Sequence, residues 1–384
     1  MQRAVAVVFV LAVLLAGYEL YASLREVSAG LHGSTATAQA PQVVYVTTLS
    51  PSPAPTADLA VSTPTPLPLV MTSTATSESP LSSLQDLARS LLAQQWTGTQ
   101  PVTVLVLGED HRQGDTEKFF QTDTMMLIRV DPVAKTITML SIPRDLWVDI
   151  PGSGPYKIDD ANFIGDAYHY PGGGPALAVK TVQQDFNVKI DYYFRLDFTA
   201  FETVIDAIGG IDIVNAQTID DPQYPDGSNG YEPFYLSAGP HHLNGHDALR
   251  YARTRHGSTD IVRAQHQQEV IMAVRHQVLS LNLLPSLVAQ APAMYQKLNA
   301  SVTTDLSLQQ MIGLAVLAQD IPQQNIKSVV IDYNYVTNGT EPGTPGNPPQ
   351  DVLLPNWDRI NALVTQLFPA KPKTTGLAAT AVTP

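Results

Sequence analysis

A short basic segment stands out in an acidic chain of 384 residues. The formal net charge is -13, yet Arg250, Arg253, Arg255 and Arg263 lie within fourteen residues of each other in the stretch LRYARTRHGSTDIVRAQHQQ, which begins at Leu249. A guanidinium group offers paired donors that match two oxygens of a phosphate group. Cations gathered in this way predict a local site for a small anionic ligand.

The backbone predicted for this segment would bring its arginines together. An extended backbone over residues 251–255 places Arg253 and Arg255 on one face, because side chains alternate along a strand. Arg263 opens a predicted helix, where free N–H groups and the helix dipole attract anions. Asp260 precedes it, either as a helix-capping residue or in a functional role. For Arg253 and Arg255, the alternative is that they form surface ion pairs.

Two carboxylates and a further arginine are predicted to meet at one edge of a sheet. Segments 124–130 and 136–142 are apolar strands around the turn DPVAK, so Asp123 lies across from Pro143 and Arg144. If the preceding strand runs parallel to the second of these, Asp110 reaches the same edge. Two carboxylates near an arginine could hold Mg²⁺ together with phosphate oxygens. An aspartate beside a strand can equally be a turn or cap residue.

Composition excludes several classes of function. The net negative charge argues against nucleic-acid binding, which needs a basic face. The chain has no cysteine, which excludes disulfides, thiolate metal sites and cysteine catalysis. His242 and His246 have the spacing of a zinc-binding pair, but the glutamate of a metalloprotease motif is missing between them. No nucleic-acid partner and no zinc site are therefore expected.

The first residues predict attachment to a membrane. After the first three residues an apolar run continues to about Ala22, which is close to the roughly 20 residues that span a bilayer. We therefore expect residues 1–26 to form a short cytoplasmic start and a single-pass transmembrane anchor, with the remaining chain extracytoplasmic. A cleaved signal peptide is the alternative, for which residues 20–22 form a poor cleavage site.

The rest of the chain divides by composition into a linker, one domain and a tail. Residues 27–80 are rich in Pro, Thr and Ser and are predicted to be a disordered linker. Residues 370–384 are predicted to be a disordered tail. Between them, residues 81–369 alternate apolar strands with amphipathic helices, beginning with a lead-in helix over 82–96. This pattern predicts an α/β fold with three α/β/α layers and a central mixed sheet.

Seven sequence blocks, in order, resemble the successive motifs of the LytR-CpsA-Psr family. They are VLVLGEDHR, TDTMMLIRVDP, LSIPRDLWVDIPG, YKID, AIGGIDI, HHLNGHDALRYARTRH and DIVRAQHQQ. The resemblance covers roughly residues 100–282, and SIPRD together with YARTRH is a specific combination. Members of this family are single-pass membrane proteins with an extracytoplasmic α/β/α domain.

The resemblance implies roles for individual residues. It makes Asp110 and Asp123 the carboxylates on the Mg²⁺ side of the site, and Asp260 a catalytic residue that orients the arginines. The pyrophosphate ligands that it implies are Arg144, Arg253, Arg255 and Arg263, with Arg112 and Lys157 lining the same pocket.

The sequence departs from the family pattern at three positions. Gln121 stands where the family usually has Arg, Asp159 replaces a common Asn, and His266 replaces a frequent Arg. These departures leave the main motifs intact but change the expected charge balance of the site.

The function implied by the resemblance is a transfer reaction. Family members move anionic glycopolymers, teichoic acids among them, from a polyprenyl-pyrophosphate carrier onto peptidoglycan. The implied activity is a Mg²⁺-dependent phosphotransferase in which the phosphoanhydride of the donor supplies the energy, and Arg and Mg²⁺ neutralise charge. Asp123 and Asp145 are candidates for the base that accepts the proton of the acceptor hydroxyl. The alternatives are a polyprenyl-pyrophosphate hydrolase that uses the same site, a non-enzymatic envelope regulator acting as a transcriptional attenuator, and a wall-binding protein.

Overall fold

The computed structural model describes residues 98–111, 118–226, 230–254, 260–280, 283, 287, 298, 301–341 and 349–369. The predicted anchor, linker, lead-in helix and tail lie outside these residues. No helix in this described part of the chain is long and apolar enough to cross a membrane.

Strands and helices alternate along the described chain. The strands are β1 (Val102–Glu109), β2 (Thr122–Asp131), β3 (Thr136–Ile142), β4 (Trp147–Ile150), β5 (Gly154–Lys157), β6 (Tyr192–Asp197), β7 (Ile211–Asn215), β8 (Ile219–Asp221), β9 (Phe234–Leu236), β10 (Gly239–Leu243), β11 (Val302–Thr304), β12 (Ile326–Val330), β13 (Val336–Glu341) and β14 (Gln350–Pro355). The α-helices are α1 (Asp160–Ala167), α2 (Gly173–Phe186), α3 (Phe198–Ala207), α4 (Gly245–Arg253), α5 (Asp260–Ser280), α6 (Leu308–Gln319) and α7 (Trp357–Leu367).

A six-stranded mixed sheet forms the centre of the fold. Its strand order is β11-β6-β1-β2-β3-β12. Strand β1 runs antiparallel to β2 and parallel to β6, while β3 runs antiparallel to β2 and parallel to β12. The predicted mixed sheet and the predicted hairpin of β2 and β3 are therefore confirmed.

Apolar residues on both faces of β1 explain why helices cover the sheet on both sides. Val104 and Val106 pack in a core that includes residues of α3 and α6. Leu105 and Leu107, which point to the opposite face, pack in a second core that includes residues of α1, α2 and α7. Because side chains alternate along a strand, a strand buried on both faces has a nearly continuous apolar sequence. This arrangement gives the three predicted layers.

A third apolar core holds the helices that carry the basic segment. It joins α3, α4, α5 and α6 with the small sheet formed by β7 and β10. Helix α4 begins after Asn244, whose side chain accepts a hydrogen bond from the Asp247 backbone N–H at 2.8 Å. Gly245 allows α4 to approach α3 closely, because a Cβ atom there would lie only 2.3 Å from the Glu202 carbonyl oxygen.

The backbone predicted for residues 251–255 is wrong over its first three residues. Helix α4 continues through Tyr251 and ends at Arg253, with Thr254 as its C-cap. The side-chain hydroxyl of Thr254 donates to the Asp221 carboxylate at 2.8 Å, so the helix end is held by a residue 33 positions earlier in the chain. Residue Arg255 lies outside the described residues.

Candidate active site

The hairpin of β2 and β3 brings Asp123 and Arg144 into direct contact. The register pairs Met125 with Ile142, so Asp123, near the start of β2, and Arg144, just after β3, face each other beyond the last paired residues. Arg144 Nη1 donates to Asp123 Oδ1 at 2.5 Å. Burial alone would raise the pKa of Asp123, but the charge and hydrogen bond of Arg144 and the charge of Arg263 lower it overall. Asp123 is therefore an ionised acceptor in this site.

Arg144 also points toward a second pair of carboxylates. Its Nε atom lies 3.8 Å from Asp145 Oδ2 and 3.9 Å from Asp260 Oδ2. Both distances are too long for a hydrogen bond, and this buried Nε–H has no hydrogen-bond partner among the described residues. A buried donor left in this state is costly, so an oxygen atom of an anionic ligand would be a favourable partner for it.

Arg253 contacts three groups at the end of α4. Its Nη2 atom donates to Asp110 Oδ2 at 2.8 Å, and its Nη1 atom donates to the Tyr224 hydroxyl at 3.0 Å. The guanidinium carbon lies 4.2 Å from the centre of the Phe198 ring, a distance at which a cation–π interaction is favourable. These contacts hold the arginine fork in one orientation next to the Asp110 carboxylate.

The remaining charged groups of the site form a compact network around Asp145 and Asp260. Lys157 Nζ donates to Asp145 Oδ1 at 2.8 Å. Arg263, which is only 5% exposed, has its Nη1 atom 3.4 Å from Asp260 Oδ1. It is the fourth residue of α5, so it lies in the first turn, as predicted.

Asp145 and Asp260 have pKa values shifted in opposite directions. Burial alone would raise the pKa of Asp145, but hydrogen bonds from Asp260 and Lys157 and the charge of Arg144 lower it to about 2. Burial raises the pKa of Asp260, and the neighbouring Asp145 raises it further against the opposing charge of Arg263. The two carboxyl groups therefore behave as a coupled pair in which Asp260 holds the proton more tightly.

An apolar cavity opens beside these charges. It has a volume of about 300 Å³ and lies between the sheet and helices α3, α4 and α5. Its apolar walls include Leu196, Phe198, Phe201, Leu249 and Ile271. Its charged lining residues include Asp123, Arg253 and Arg263. The cavity thus combines a space for a hydrocarbon chain with cations for an anionic head group.

A second cavity, of about 360 Å³, lies on the other side of Asp123. Its lining includes Asp110, Asp123 and Arg144, together with the aromatic residues Phe119 and Phe163. Carboxylate oxygens are the ligands that Mg²⁺ prefers, and this ion typically takes one or two of them and completes its shell with water and substrate oxygens. The chemistry of the donor set at Asp110 and Asp123 therefore fits Mg²⁺.

Comparison with known proteins identifies the family of this chain. The profile of the LytR_cpsA_psr family matches residues 69–345. The chain belongs to the LytR_cpsA_psr family. One relative is the polyisoprenyl-teichoic acid–peptidoglycan teichoic acid transferase TagT of Bacillus subtilis, which is 35% identical over 245 residues, or 63% of this chain and 71% of TagT. Another is the regulatory protein MsrR of Staphylococcus aureus, which is 28% identical over 247 residues, or 62% of this chain and 69% of MsrR.

A solved structure of a family member with a bound lipid is also similar. TagT with bound octaprenyl pyrophosphate is 26% identical, with a TM-score of 0.50, and the match covers 71% of this chain and 92% of that chain. The agreement in fold is consistent with the family membership found from the sequence.

Most of the family-implied residues in the described part of the chain lie together. Asp110, Asp123, Arg144, Arg253 and Arg263 line the two cavities. Lys157 and Asp260 join them through Asp145 and Arg144. Arg112 and Arg255 lie outside the described residues, so their predicted roles remain predictions.

Sequence reasoning missed the aromatic residues that hold Arg253. Tyr224 and Phe198 come from separate segments, and no local sequence pattern pairs either of them with an arginine. His242 and His246, the pair with zinc-like spacing, bond to different groups. His242 lies against Asp212, and His246 lies against Glu202.

The three departures from the family pattern occupy different environments. Asp159 is 2% exposed, and burial raises its pKa well above the usual value. Its backbone nitrogen donates to the Arg144 carbonyl at 3.3 Å, which helps to fix the Arg144 backbone. Gln121 donates to Asp160 Oδ1 at 2.6 Å. His266 stacks on Tyr251 with ring centres 4.4 Å apart.

Proposed function

We propose that this protein is a phosphotransferase that moves an anionic glycopolymer from a polyprenyl-pyrophosphate carrier onto peptidoglycan. The observation that carries the proposal is the apolar cavity of about 300 Å³ with Asp123, Arg253 and Arg263 in its lining. A prenyl chain needs an apolar slot, and a pyrophosphate needs cations beside that slot. The names of the family relative TagT and of its lipid-bound structure support the same donor and acceptor.

Three arginines are placed to bind the pyrophosphate group. Arg253 and Arg263 line the apolar cavity, and Arg144 lies beside Asp123 between the apolar cavity and the second cavity. The buried Nε–H of Arg144 is available to a phosphate oxygen. Fixed cations of this kind stabilise the charge that develops during phosphoryl transfer, because they need no reorganisation at the moment of reaction.

The reaction breaks one phosphoanhydride bond and forms one phosphodiester bond. A sugar hydroxyl of the acceptor attacks the phosphorus that carries the glycopolymer, and polyprenyl phosphate leaves as a stable anion. The hydroxyl proton passes to the pair of Asp145 and Asp260. Within that pair the ionised form of Asp260 is the better proton acceptor, because burial and the neighbouring Asp145 raise its pKa, while the pKa of Asp145 is about 2. This assignment replaces Asp123, whose pKa is lowered.

We propose Mg²⁺ as the metal cofactor, held by Asp110 and Asp123. When bound there, the ion would neutralise the negative charge of the pyrophosphate oxygens. The two carboxylates are oriented by the protein itself, since Asp110 accepts a hydrogen bond from Arg253 and Asp123 accepts one from Arg144.

A transfer assay with the detergent-solubilised full-length protein tests the proposal. The donor is a short radiolabelled oligosaccharide linked to polyprenyl pyrophosphate, and the acceptor is uncrosslinked peptidoglycan oligosaccharide. We expect the label to become covalently attached to the acceptor with release of one equivalent of polyprenyl phosphate. Absence of both products with a donor that binds the protein would refute an enzymatic role.

The same assay separates the two alternative functions. A hydrolase would release the labelled sugar phosphate into solution in place of labelling the acceptor, since water would take the place of the sugar hydroxyl. A regulator, a function suggested by the name of the relative MsrR, would bind the donor without turnover. The two carboxylates and the coupled acid pair favour catalysis, because a protein that only binds the carrier needs none of them.

We also propose that the protein is anchored in the cell membrane by residues 1–26, with its domain outside. The support is the apolar N-terminal run followed by the linker rich in Pro, Thr and Ser. Protease added to intact cells should release a fragment that begins in residues 27–80. Protection of the domain from protease, or its free appearance in the medium without protease, would contradict this topology.

A further inference from the structure

The hairpin of β13 and β14 is fixed next to the proposed proton acceptors. The backbone N–H of Leu353 donates to the Asp145 carbonyl at 2.9 Å. Leu353 also forms a parallel bridge with Leu146. Because Asp145 directly follows Arg144 in the chain, these contacts hold the hairpin against the segment that carries both residues.

One face of this hairpin presents polar side chains to the site. Thr340 pairs with Asp351, and Asn338 pairs with Leu353. Since side chains alternate along a strand, Asn338, Thr340 and Asp351 lie on the same face. Together with Tyr333, these three residues line a groove of about 440 Å³ that also includes Asp145 and Asp260. We call this space the hairpin groove.

Arg144 contacts residues that line the apolar cavity and lies close to residues that line the hairpin groove. One side of its guanidinium group contacts Asp123, which lines the apolar cavity. Its Nε atom faces Asp145 and Asp260, which line the hairpin groove. A phosphate bound to Arg144 would thus lie near residues of both the apolar cavity and the hairpin groove.

This placement matters because the attacking and leaving oxygens lie roughly in line during phosphoryl transfer. The leaving group of the proposed reaction is polyprenyl phosphate, whose chain belongs in the apolar cavity. The attacking hydroxyl must therefore approach from the opposite side. Within the described part of the chain, the hairpin groove shares no lining residue with the apolar cavity and contains the pair of Asp145 and Asp260, so we infer that the hydroxyl approaches through it.

The charge of the hairpin groove distinguishes between the two sugar chains of the reaction. Its lining includes three carboxyl groups, from Asp145, Asp260 and Asp351, and no lysine or arginine among the described residues. Residues that do not line the groove supply cations to two of these groups, since Lys157 and Arg144 lie beside Asp145, and Arg263 lies beside Asp260. Asp351 is therefore the carboxylate that disfavours an anionic glycopolymer here. An uncharged, hydroxyl-rich glycan is favoured, since its hydroxyls can donate to carboxylates and to the amide oxygen of Asn338.

We propose that the hairpin groove binds the sugar acceptor, which is a neutral glycan strand of peptidoglycan. This inference rests on the proposed phosphotransferase function. Asn338, Thr340 and Asp351 bind its hydroxyls, and the exposed Tyr333 ring provides an apolar surface for a sugar ring. The acceptor hydroxyl then faces the bound phosphate and the acid pair from the side opposite the prenyl chain.

The test compares Asn338→Ala and Asp351→Ala with Thr337→Ala in the full-length protein. Thr337 is exposed on the other face of the same strand, is paired with Leu354, and does not line the groove. The first measurement is the transfer rate as a function of the concentration of peptidoglycan oligosaccharide. We expect KM for the acceptor to rise about threefold to tenfold in Asn338→Ala and about tenfold or more in Asp351→Ala. The maximal rate and the affinity for polyprenyl pyrophosphate should stay within about twofold, and Thr337→Ala should match the wild type.

A second measurement keeps the groove testable if the proposed reaction fails. Binding of the uncrosslinked peptidoglycan oligosaccharide is measured by calorimetry without any donor. Binding that is lost in Asn338→Ala and retained in Thr337→Ala supports the groove, even if the wild type catalyses no transfer. Glycan binding by Asn338→Ala and Asp351→Ala that equals the wild type would overturn the proposal. So would a parallel loss of donor affinity, which would show that the groove holds the donor.

Discussion

Replacement of Arg253 by Ala should reduce both activity and stability, and the two effects have different structural causes. The side chain is 16% exposed, bonds to Asp110 and Tyr224, and lies over the Phe198 ring. Removal of an arginine that only faced solvent would change stability little. Because the guanidinium group is packed against an aromatic ring, the substitution also removes contacts of the folded state.

The size of each effect follows from the contacts that are lost. A hydrogen bond to a charged group contributes about 1.5–3 kcal/mol, so the loss of one to the pyrophosphate lowers kcat/KM by roughly 10-fold to 150-fold. The lost cation–π contact with Phe198 and the lost hydrogen bonds to Asp110 and Tyr224 cost about 1–3 kcal/mol of folding stability. For a domain of this size that corresponds to a fall in Tm of roughly 2–10 °C. Arg253→Lys should recover only part of the activity, since an ammonium group cannot reproduce the fork.

Arg250 provides a matched control on the same helix. It is 13% exposed, lies 4.6 Å from the centre of the Phe234 ring, and does not line the apolar cavity. Arg250→Ala should therefore lower Tm by a similar amount and leave turnover within about twofold of the wild type. The assay is the transfer reaction together with thermal unfolding of each variant. Wild-type turnover in Arg253→Ala, or an equal loss of activity in Arg250→Ala, would show that Arg253 has only a structural role.

Three further changes test the metal site, the apolar cavity and a buried acid. Asp123→Asn should raise the Mg²⁺ concentration that gives half-maximal transfer by about tenfold, as measured by titrating Mg²⁺ into the assay. An unchanged Mg²⁺ dependence would exclude Asp123 as a metal ligand. Ala252→Phe fills part of the apolar cavity, so the protein should bind long-chain prenyl pyrophosphates more weakly and short-chain ones as before. An equal loss of affinity for both chain lengths would argue against a prenyl-binding cavity. Burial raises the pKa of Asp185 from 3.8 to about 6, against a hydrogen bond from Gln184. The stability that the protonated side chain gives to the folded state is therefore complete below about pH 4 and is lost as the pH rises through about 6. Asp185→Asn should raise Tm by a few degrees at pH 7.5 and not at pH 4, as followed by thermal unfolding, and an equal effect at both values would contradict the shift.

The contact between Asp123 and Arg144 could be predicted from the sequence because its causes are local. Two apolar strands on either side of a short turn form an antiparallel pair, and a shift of one residue would move every side chain to the other face. The pairing of Met125 with Ile142 is the register that buries both strands. Once that register is fixed, the residues just beyond the strands must face each other.

The environment of Arg253 could not be predicted because its causes are distant in sequence. Its helix ends where Thr254 bonds to Asp221, and its hydroxyl partner Tyr224 lies 29 residues away. The segment around Arg253 contains no proline or glycine that would end the helix earlier, so local patterns cannot decide between a helix and an extended backbone. Tertiary contacts determine that this segment is helical.

The hairpin of β13 and β14 was missed for a related reason. The strand sequence VTNGTE has little apolar alternation, and Asn and Gly are unfavourable in strands. Its partner QDVLLP supplies the buried residues Val352 and Leu353, which pack only after the hairpin docks beside Asp145. A strand that depends on such docking has no signal of its own in the sequence.

Burial of Asp159 reduces the change in net charge that the departures from the family pattern cause at the site. Gln121 in place of Arg and Asp159 in place of Asn would together make the site two units more negative if both carboxyl and amide groups behaved as they do in water. Asp159 is instead buried, and burial raises its pKa, so its neutral form is favoured. A neutral carboxyl group has nearly the shape and charge of the asparagine that it replaces. The proposed pyrophosphate site therefore has one cation fewer at Gln121 and gains little negative charge at Asp159, so Arg144, Arg253 and Arg263 remain its proposed cations.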